Sequence, residues 1–295
     1  MAHISVLQKE VLDYLDPKPN ENFIDATVGG AGHASAILEK IRPNGKVLGI
    51  DADPEAIRGF KSKASNLKSK IIFICDNFVN LREIVKKQRF KKISGILFDL
   101  GISSCHLEES GRGFTFQKNE ALDMRFNPEN PLTAEKIVNY RSFQEIEKIL
   151  KEYGEERFAE DISREIIETR KIKQIKTTFQ LVEIIKKSVP GWYQNQRLHF
   201  ATKTFQALRI AVNYELENLE RALPQAVDIL NKDGRLAVIS FHSLEDRIVK
   251  NFFRTRALTD LRILTKKPVS PSQSEIKINP RARSAKLRAA RKIIN

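Results

Sequence analysis

The stretch Phe23-Ile24-Asp25-Ala26-Thr27-Val28-Gly29-Gly30-Ala31-Gly32-His33 decides the fold. An apolar run over 22–26 carries Asp25 near its end, and a glycine-rich turn follows. Beyond the turn, over 33–41, Ala34, Ile37, Leu38 and Ile41 recur at helical spacing. Glycine lets the backbone approach a ligand, and the first turn of a helix offers N–H donors with no partner inside the helix. The segment therefore reads as a strand, a ligand-cradling turn and a helix. The plainer alternative is a tight strand–helix turn with no ligand.

The same alternation continues outward. Residues 46–50 (KVLGI) form a second strand running to Asp51, 54–64 a helix, and 70–75 (KIIFIC) a third strand. A basic helix over 82–91 precedes a fourth strand over 94–100 (SGILFDL), with Asp99 at its end. Near-continuous apolar strands between helices predict a parallel sheet covered on both faces. From 114 to 205 no strong strand signal occurs. Ser142-x-x-Glu145 matches a capping box, and 156–169 and 178–188 read as amphipathic helices. The α/β pattern then resumes: one long helix over 205–223 before Pro224, a turn at Asp233-Gly234, a strand over 235–241 (RLAVISF) and a helix over 244–256. Residues 266–295 read as a tail rich in proline, serine and basic residues. The expected organisation is an α/β domain made of 1–113 and 206–295, with a helical insertion at 114–205.

Composition narrows the classes. Over 295 residues, Lys+Arg minus Asp+Glu is 51 − 37 = +14, and 41% of residues are hydrophobic. That is no disordered polyelectrolyte, and the positive excess points to a polyanionic partner. Two cysteines, Cys75 and Cys105, make neither a disulfide framework nor a zinc site by themselves, so no metal is expected. No apolar run approaches the roughly 20 residues of a membrane span. The first residues carry acids and no signal core, so a cytoplasmic location is expected.

Several residues carry candidate chemistry. Asp51, nineteen residues past Gly32, can accept the hydroxyls of a nucleoside ribose. The dinucleotide fingerprint lacks its third glycine, because Ser35 stands there. NAD and S-adenosylmethionine both suit such a turn; Asp25 favours the latter, since a carboxylate repels pyrophosphate and attracts a cationic methionine end. In Asp76-Asn77-Phe78, Phe78 can pack on adenine and Asp76 can accept from its amine, or the three form a polar turn. Asp99 ends the fourth strand, where open parallel sheets bind ligands, and can face both cofactor and acceptor. His242 follows the late strand as a general-base candidate or an ordinary loop histidine, with Ser243 as the expected cap of the next helix. Basic segments at 86–92, 170–176 and 281–292 can neutralise phosphates. Trp192, Tyr193 and His199 lie in a basic, polar stretch and can stack bases or simply pack.

Together these segments resemble the bacterial 16S ribosomal RNA cytosine-N(4) methyltransferase family (RsmH/MraW). The matching stretches include HISVLQKEV, DATVGGAGH, GIDADPEAI, GILFDLGISS, GRGFTFQKNEALDMRF, RLHFATKTFQALRIAVNYEL, LAVISFHSLEDRIVK and NPRARSAKLRAA, in family order over nearly the whole chain. The resemblance implies a Rossmann-like class I S-adenosylmethionine-dependent methyltransferase with a helical inserted domain. It implies methylation of the 4-amino group of a cytidine in the decoding region of small-subunit rRNA. Carried over position by position, its cofactor contacts fall on Ala31, Gly32, His33, Asp51, Phe78, Asp99 and His106. The family often has glycine at position 31 and glutamine at 106, where this chain has Ala31 and His106. The strand-four motif of better-known amino methyltransferases, Asn/Asp-Pro-Pro-aromatic, is replaced here by Asp99-Leu100-Gly101-Ile102. The expected partners are 16S rRNA or the assembled small subunit, with a second copy of the chain as a homodimer and no membrane. The competing readings are a DNA amino methyltransferase, a silent RNA-binding assembly factor and, more distantly, an NAD-dependent oxidoreductase.

Overall fold

A computed structural model describes residues 5–63, 70–102, 104–108 and 110–294. Ser103 and residue 64 of the expected helix lie outside them. Helix α1 (Gln8–Leu15) leads into β1 (Asn22–Asp25), α2 (Gly32–Lys40), β2 (Val47–Asp51), α3 (Pro54–Lys63), β3 (Ile71–Cys75), α4 (Leu81–Lys87) and β4 (Ile93–Asp99). Seven helices follow: α5 (Ser104–Glu108), α6 (Ala134–Tyr140), α7 (Phe143–Gly154), α8 (Ala159–Ile172), α9 (Thr178–Ser188), α10 (Gly191–Gln194) and α11 (Thr202–Asn213). The chain ends in α12 (Glu215–Ile229), β5 (Leu230–Ser240), α13 (Ser243–Arg256), β6 (Leu261–Ile263), α14 (Gln273–Ile278) and β7 (Lys286–Lys292). Two units result: Met1–Gly101 with Leu216–Asn295, and Ile102–Glu215.

In the first unit the strands run in the order β3-β2-β1-β4-β5-β7-β6. The first five are parallel, and β7 is antiparallel to both β5 and β6. This is a Rossmann-like α/β sheet. From β1 the chain adds β2 and β3 on one side, then β4 and β5 on the other, so the order reverses between β1 and β4. Ligands of open α/β sheets bind outside the carboxyl ends of the strands at such a point. Successive side chains of a strand face opposite ways. Ile24, Leu48, Ile96, Phe98 and Val238 therefore join Leu81, Leu223 and Phe253 in one core. Phe23, Val47, Leu97 and Ala237 join Val11, Leu15, Ile37 and Leu38 in the other. Both faces are covered, as a parallel sheet requires.

The second unit is helical around its own core of Ile146, Leu150, Ile162, Ile166, Leu181, Ile185 and Leu208. Capping boxes at Ser142/Glu145 and Thr177/Gln180 start α7 and α9.

Three expectations are corrected. The long helix over 205–223 is two helices, because Tyr214 takes a left-handed conformation (φ 52°) that ends α11. Pro224 lies inside α12 rather than ending it. A mid-helix proline costs about 3 kcal/mol, and burial of Leu219, Ala222, Leu223, Ala226 and Val227 on that helix offsets it. The tail, read as a stretch rich in proline, serine and basic residues whose 281–292 cations can neutralise phosphates, contains a core strand: β7 fills the gap between β5 and β6, with Leu287, Ala289 and Ala290 in the core. Arg288 and Lys292 are buried there, Arg288 on Asp246 (2.7 and 3.1 Å) and Lys292 on the carbonyls of Asp228 and Leu230 (3.2 and 2.8 Å).

Candidate active site at the carboxyl ends of the strands

Asp25, Asp51 and Asp99 are the last residues of three neighbouring parallel strands, so they emerge at one edge of the sheet. The loop after β1 is tied to both neighbours: Ala26 N–H donates to Leu97 O (2.9 Å) and Val28 N–H to Ile50 O (2.8 Å). Gly29 takes φ +44°, a left-handed value that glycine adopts without steric cost. Ala31 takes φ 56° at the N-cap of α2, where a side chain costs roughly 1–2 kcal/mol. Glycine would take the same conformation without that cost. The N-cap residue of α2, Ala31, makes no side-chain cap, so among the described residues no cap side chain takes up the first-turn donors of that helix.

Asp51 holds the loop from the side. Its Oδ2 accepts from Gly29 N–H (2.8 Å) and its Oδ1 from Asp53 N–H (2.9 Å). Gly32 is pressed by the N-terminal segment, and a Cβ there would collide with Ser5 Oγ. That segment is fixed in turn, with Leu7 N–H donating to Glu275 Oε1 (2.7 Å).

Asp99 is set by its backbone, whose N–H donates to Thr27 Oγ1 (2.7 Å). Its Oδ2 lies 3.5 Å from His33 Nε2, an electrostatic contact rather than a formed hydrogen bond. Asp99 Oδ1 and both ring nitrogens of His33 are buried without a hydrogen-bond partner. Burial works to lower the pKa of His33, and the carboxylates of Asp99 and Asp25 outweigh it, so the imidazole titrates above its ordinary value. Asp25 is 1% exposed. Burial pushes its carboxyl up to about 7, against the opposing pull of His33 and the Thr27 N–H that donates to Oδ1.

The other residues singled out in the sequence fall as follows. Phe78 opens a single helical turn after β3, half-buried and edge-on to Phe98 with ring centroids 5.5 Å apart. Asp76 Oδ1 accepts from Asn77 N–H (2.7 Å) and Asn80 Nδ2 (2.9 Å), so that oxygen builds the turn. His242, not Ser243, is the N-cap of α13: its Nδ1 accepts from Glu245 N–H at 3.5 Å, while Glu245 Oε2 accepts from Phe241 N–H (2.8 Å) and His242 N–H (3.4 Å). Its Nε2 lies 3.2 Å from Glu245 Oε1. His106 belongs to the helical unit, buried with its ring 5.1 Å from both Phe114 and Phe126. Sequence reasoning missed Thr27, Ser5 and Glu275. Thr27 sits inside the decisive segment, where a hydroxyl beside a strand end was the available signal. Ser5 and Glu275 act through contacts no local pattern announces.

The MraW methylase family model matches residues 1–293. The chain belongs to the MraW methylase family. It is 45% identical over 308 residues to ribosomal RNA small subunit methyltransferase H of Heliobacterium mobile, covering 99% of each chain. It is 46% identical over 294 residues to the protein of that name from a Sulfurihydrogenibium species, covering 99% of this chain and 100% of the relative. A Clostridium botulinum protein of the same name is 45% identical over 307 residues, covering 99% of each.

For an MraW methylase the strand-end cleft fits S-adenosylmethionine. The start of α2, where the N-cap residue makes no side-chain cap, suits the carboxylate of a methionine end. The buried, unpartnered Oδ1 of Asp99 suits an N–H donor. Asp51 at the end of β2 stands where a ribose is held in this class of sheet.

Proposed function

We propose that this chain transfers a methyl group from S-adenosylmethionine to the exocyclic 4-amino group of a cytidine in the decoding region of small-subunit ribosomal RNA. Asp99 carries the reading: a carboxylate at the switch point, its backbone pinned by Thr27, with one buried oxygen lacking a partner. Membership of the MraW methylase family and full-length similarity to small-subunit rRNA methyltransferases support it. The rRNA substrate makes the cytoplasm the place of reaction.

In this reading the turn of Ala31, Gly32 and His33 holds the methionine end, with Ala31 N–H already donated to Val28 O (2.6 Å) and the N–H groups of Gly32 and His33 turned to the ligand; Asp51 holds the ribose and Phe78 the adenine, and His106 is the remaining contact that the family resemblance implies. Bound S-adenosylmethionine supplies a methyl group already activated on a sulfonium. The acceptor amine is conjugated into its ring and is a weak nucleophile, so placement matters most; good alignment is worth up to about 7–11 kcal/mol. Asp99 accepts a hydrogen bond from that amine, raising electron density on the nitrogen and fixing its direction. As the N–C bond forms and the methyl's bond to sulfur breaks, leaving a neutral thioether, the Asp99 carboxylate would take the proton that nitrogen loses and pass it to solvent. His33 Nε2 lies 3.5 Å from the same carboxylate and holds its place beside it. His242 ranks behind Asp99 for that proton: its Nδ1 caps α13, and its Nε2, without a hydrogen bond, lies 3.2 Å from Glu245 Oε1. The base must leave its stack to reach the cleft, as bases modified by enzymes do. Residues 114–205 and the assembled subunit's shape supply the rest of the recognition. A homodimer belongs to the same reading; a monomeric mass by light scattering at assay concentration would remove it.

The test uses radiolabelled S-adenosylmethionine with small subunits, or naked rRNA, from a strain lacking the modification, followed by digestion to nucleosides. Label in N(4)-methylcytidine is the expected result, with subunits the better substrate. Label in another nucleoside would overturn the acceptor, and transfer to a DNA copy of the site would overturn the substrate class. Cofactor binding without transfer to any rRNA would overturn the reaction.

A further inference from the structure

Trp192 is the chain's only tryptophan, and it is 53% exposed on a rigid support in the helical unit. Its ring meets Tyr193 edge-on at 5.8 Å and Phe158 at 5.9 Å. Tyr193 is buried, packs edge-on to Phe158 at 4.9 Å, and donates its hydroxyl to the buried Glu156 carboxylate, 2.9 and 3.1 Å from its two oxygens. Burial and the Glu156 charge both raise the Tyr193 pKa, so the phenol remains a donor throughout the working pH range. The indole is thus held from below by rings that are themselves locked.

Next to it lies the exposed guanidinium of Arg157, 5.4 Å from the Trp192 ring centroid and 5.8 Å from that of Phe158. Arg157 forms no ion pair among the described residues, and the adjacent Glu156 is engaged by Tyr193 instead. In sequence, residues 184–214 hold Lys186, Lys187, Arg197, Lys203 and Arg209 and neither Asp nor Glu, whereas of the acids flanking Arg157, Glu156 is engaged by Tyr193 and Glu160 and Asp161 by Arg164. A preorganised π face beside a cation that forms no ion pair among the described residues matches a ligand that presents a flat ring and a phosphate together.

We propose that Trp192 and Arg157 form a nucleotide-binding platform for RNA, with an unpaired base stacked on the exposed indole and its phosphate on Arg157. The inference rests on the rRNA reading above and adds a second point of contact, on the helical unit, to the strand-end site. It serves substrate hold rather than chemistry. Proteins that bind single strands combine stacking rings and cations in this way, and one such stack is worth about 1–3 kcal/mol, or roughly 5- to 150-fold in affinity.

With a single tryptophan, the full chain reports its own occupancy. Titrating a single-stranded oligoribonucleotide should quench Trp192 emission saturably, while an abasic oligonucleotide of equal charge should bind with little quenching. Trp192→Ala should raise KM for small subunits about tenfold, leave kcat and S-adenosylmethionine affinity unchanged, and be largely rescued by Trp192→Phe. Arg157→Ala should lower the salt dependence of binding by about one counter-ion. RNA binding with unquenched emission would overturn the platform, as would Trp192→Ala with a wild-type KM in an enzyme that methylates. If quenching is base-dependent but no rRNA is methylated, the platform stands and the reaction assignment falls.

Discussion

The ends of β4 and β5 are neighbours, paired in register from Gly95↔Arg235 to Asp99↔Ile239, yet they treat their polar groups differently. Past β5, His242 and Glu245 cap each other's backbone within one helical turn, while His242 Nε2, 3.2 Å from Glu245 Oε1, and Ser240 Oγ stay buried without a hydrogen bond. At β4, Asp99 keeps a buried oxygen without a partner, and the facing His33 leaves both ring nitrogens unbonded. The loop beside it carries a left-handed alanine and a buried carboxyl that titrates near neutrality. Under-satisfied groups and local strain persist where function requires them. A histidine at a strand end is therefore a candidate by position only, and its partners decide its role.

Substituting the two strand ends separately tests this contrast. Asp99→Asn should lower kcat about 100-fold or more in single-turnover methylation, with cofactor affinity by calorimetry changed far less. Equal loss from His242→Asn would erase the distinction between the ends.

Asp25→Asn gives the next largest effect. The folded-state pKa of Asp25, about 7, exceeds the ordinary carboxyl value of 3.8, so the native state holds a proton that the unfolded chain releases. Asp25 thus destabilises the fold progressively from about pH 4 to pH 7, and fully above that. The three-unit difference sets an upper bound near 4 kcal/mol, and a gain of about 2 kcal/mol is expected for the asparagine variant at pH 8, vanishing near pH 4. Urea unfolding at both pH values measures it; a gap independent of pH would refute the buried-carboxyl account.

His242→Ala removes a helix cap and should lose about 1 kcal/mol of stability, seen as a lower melting temperature with kcat within a factor of two. Ala31→Gly should be smallest, under about 1 kcal/mol, because relief of the left-handed backbone is offset by greater freedom in the unfolded chain. A change in cofactor affinity beyond threefold would mean that the Ala31 methyl itself shapes the cleft.

The first four strands were legible because each is a continuous apolar run between helices, and their terminal aspartates came with them. Strand β7 was not. Its sequence KLRAARK has four cations in seven residues, which reads as a basic stretch that can neutralise phosphates until Arg288 meets Asp246 and Lys292 meets two carbonyls some sixty residues distant. The break at Tyr214 was hidden for the opposite reason: the helical spacing of Phe205, Leu208, Val212, Leu216 and Leu219 continues across a residue whose backbone does not. At the site, glycines and carboxylates were visible, whereas the Thr27 hydroxyl on Asp99 and the crowding of Gly32 by Ser5 depend on packing between separate segments.

Strand β5 pairs with β4 although the whole helical unit is encoded between them, and that spacing bears on how the protein is made. From Asp99 to Ser240 is 141 residues, which a ribosome translating roughly 5–20 residues per second needs about 7–28 s to add. Throughout that interval the nascent β4 presents Ile96, Leu97 and Phe98 on an unpaired edge, the kind of surface that recruits other strands. A chaperone that holds this edge on the ribosome, or early folding of residues 102–215 that keeps the chain compact, would set the yield of native enzyme. Slowing translation between these strands should therefore increase aggregation without altering the finished fold.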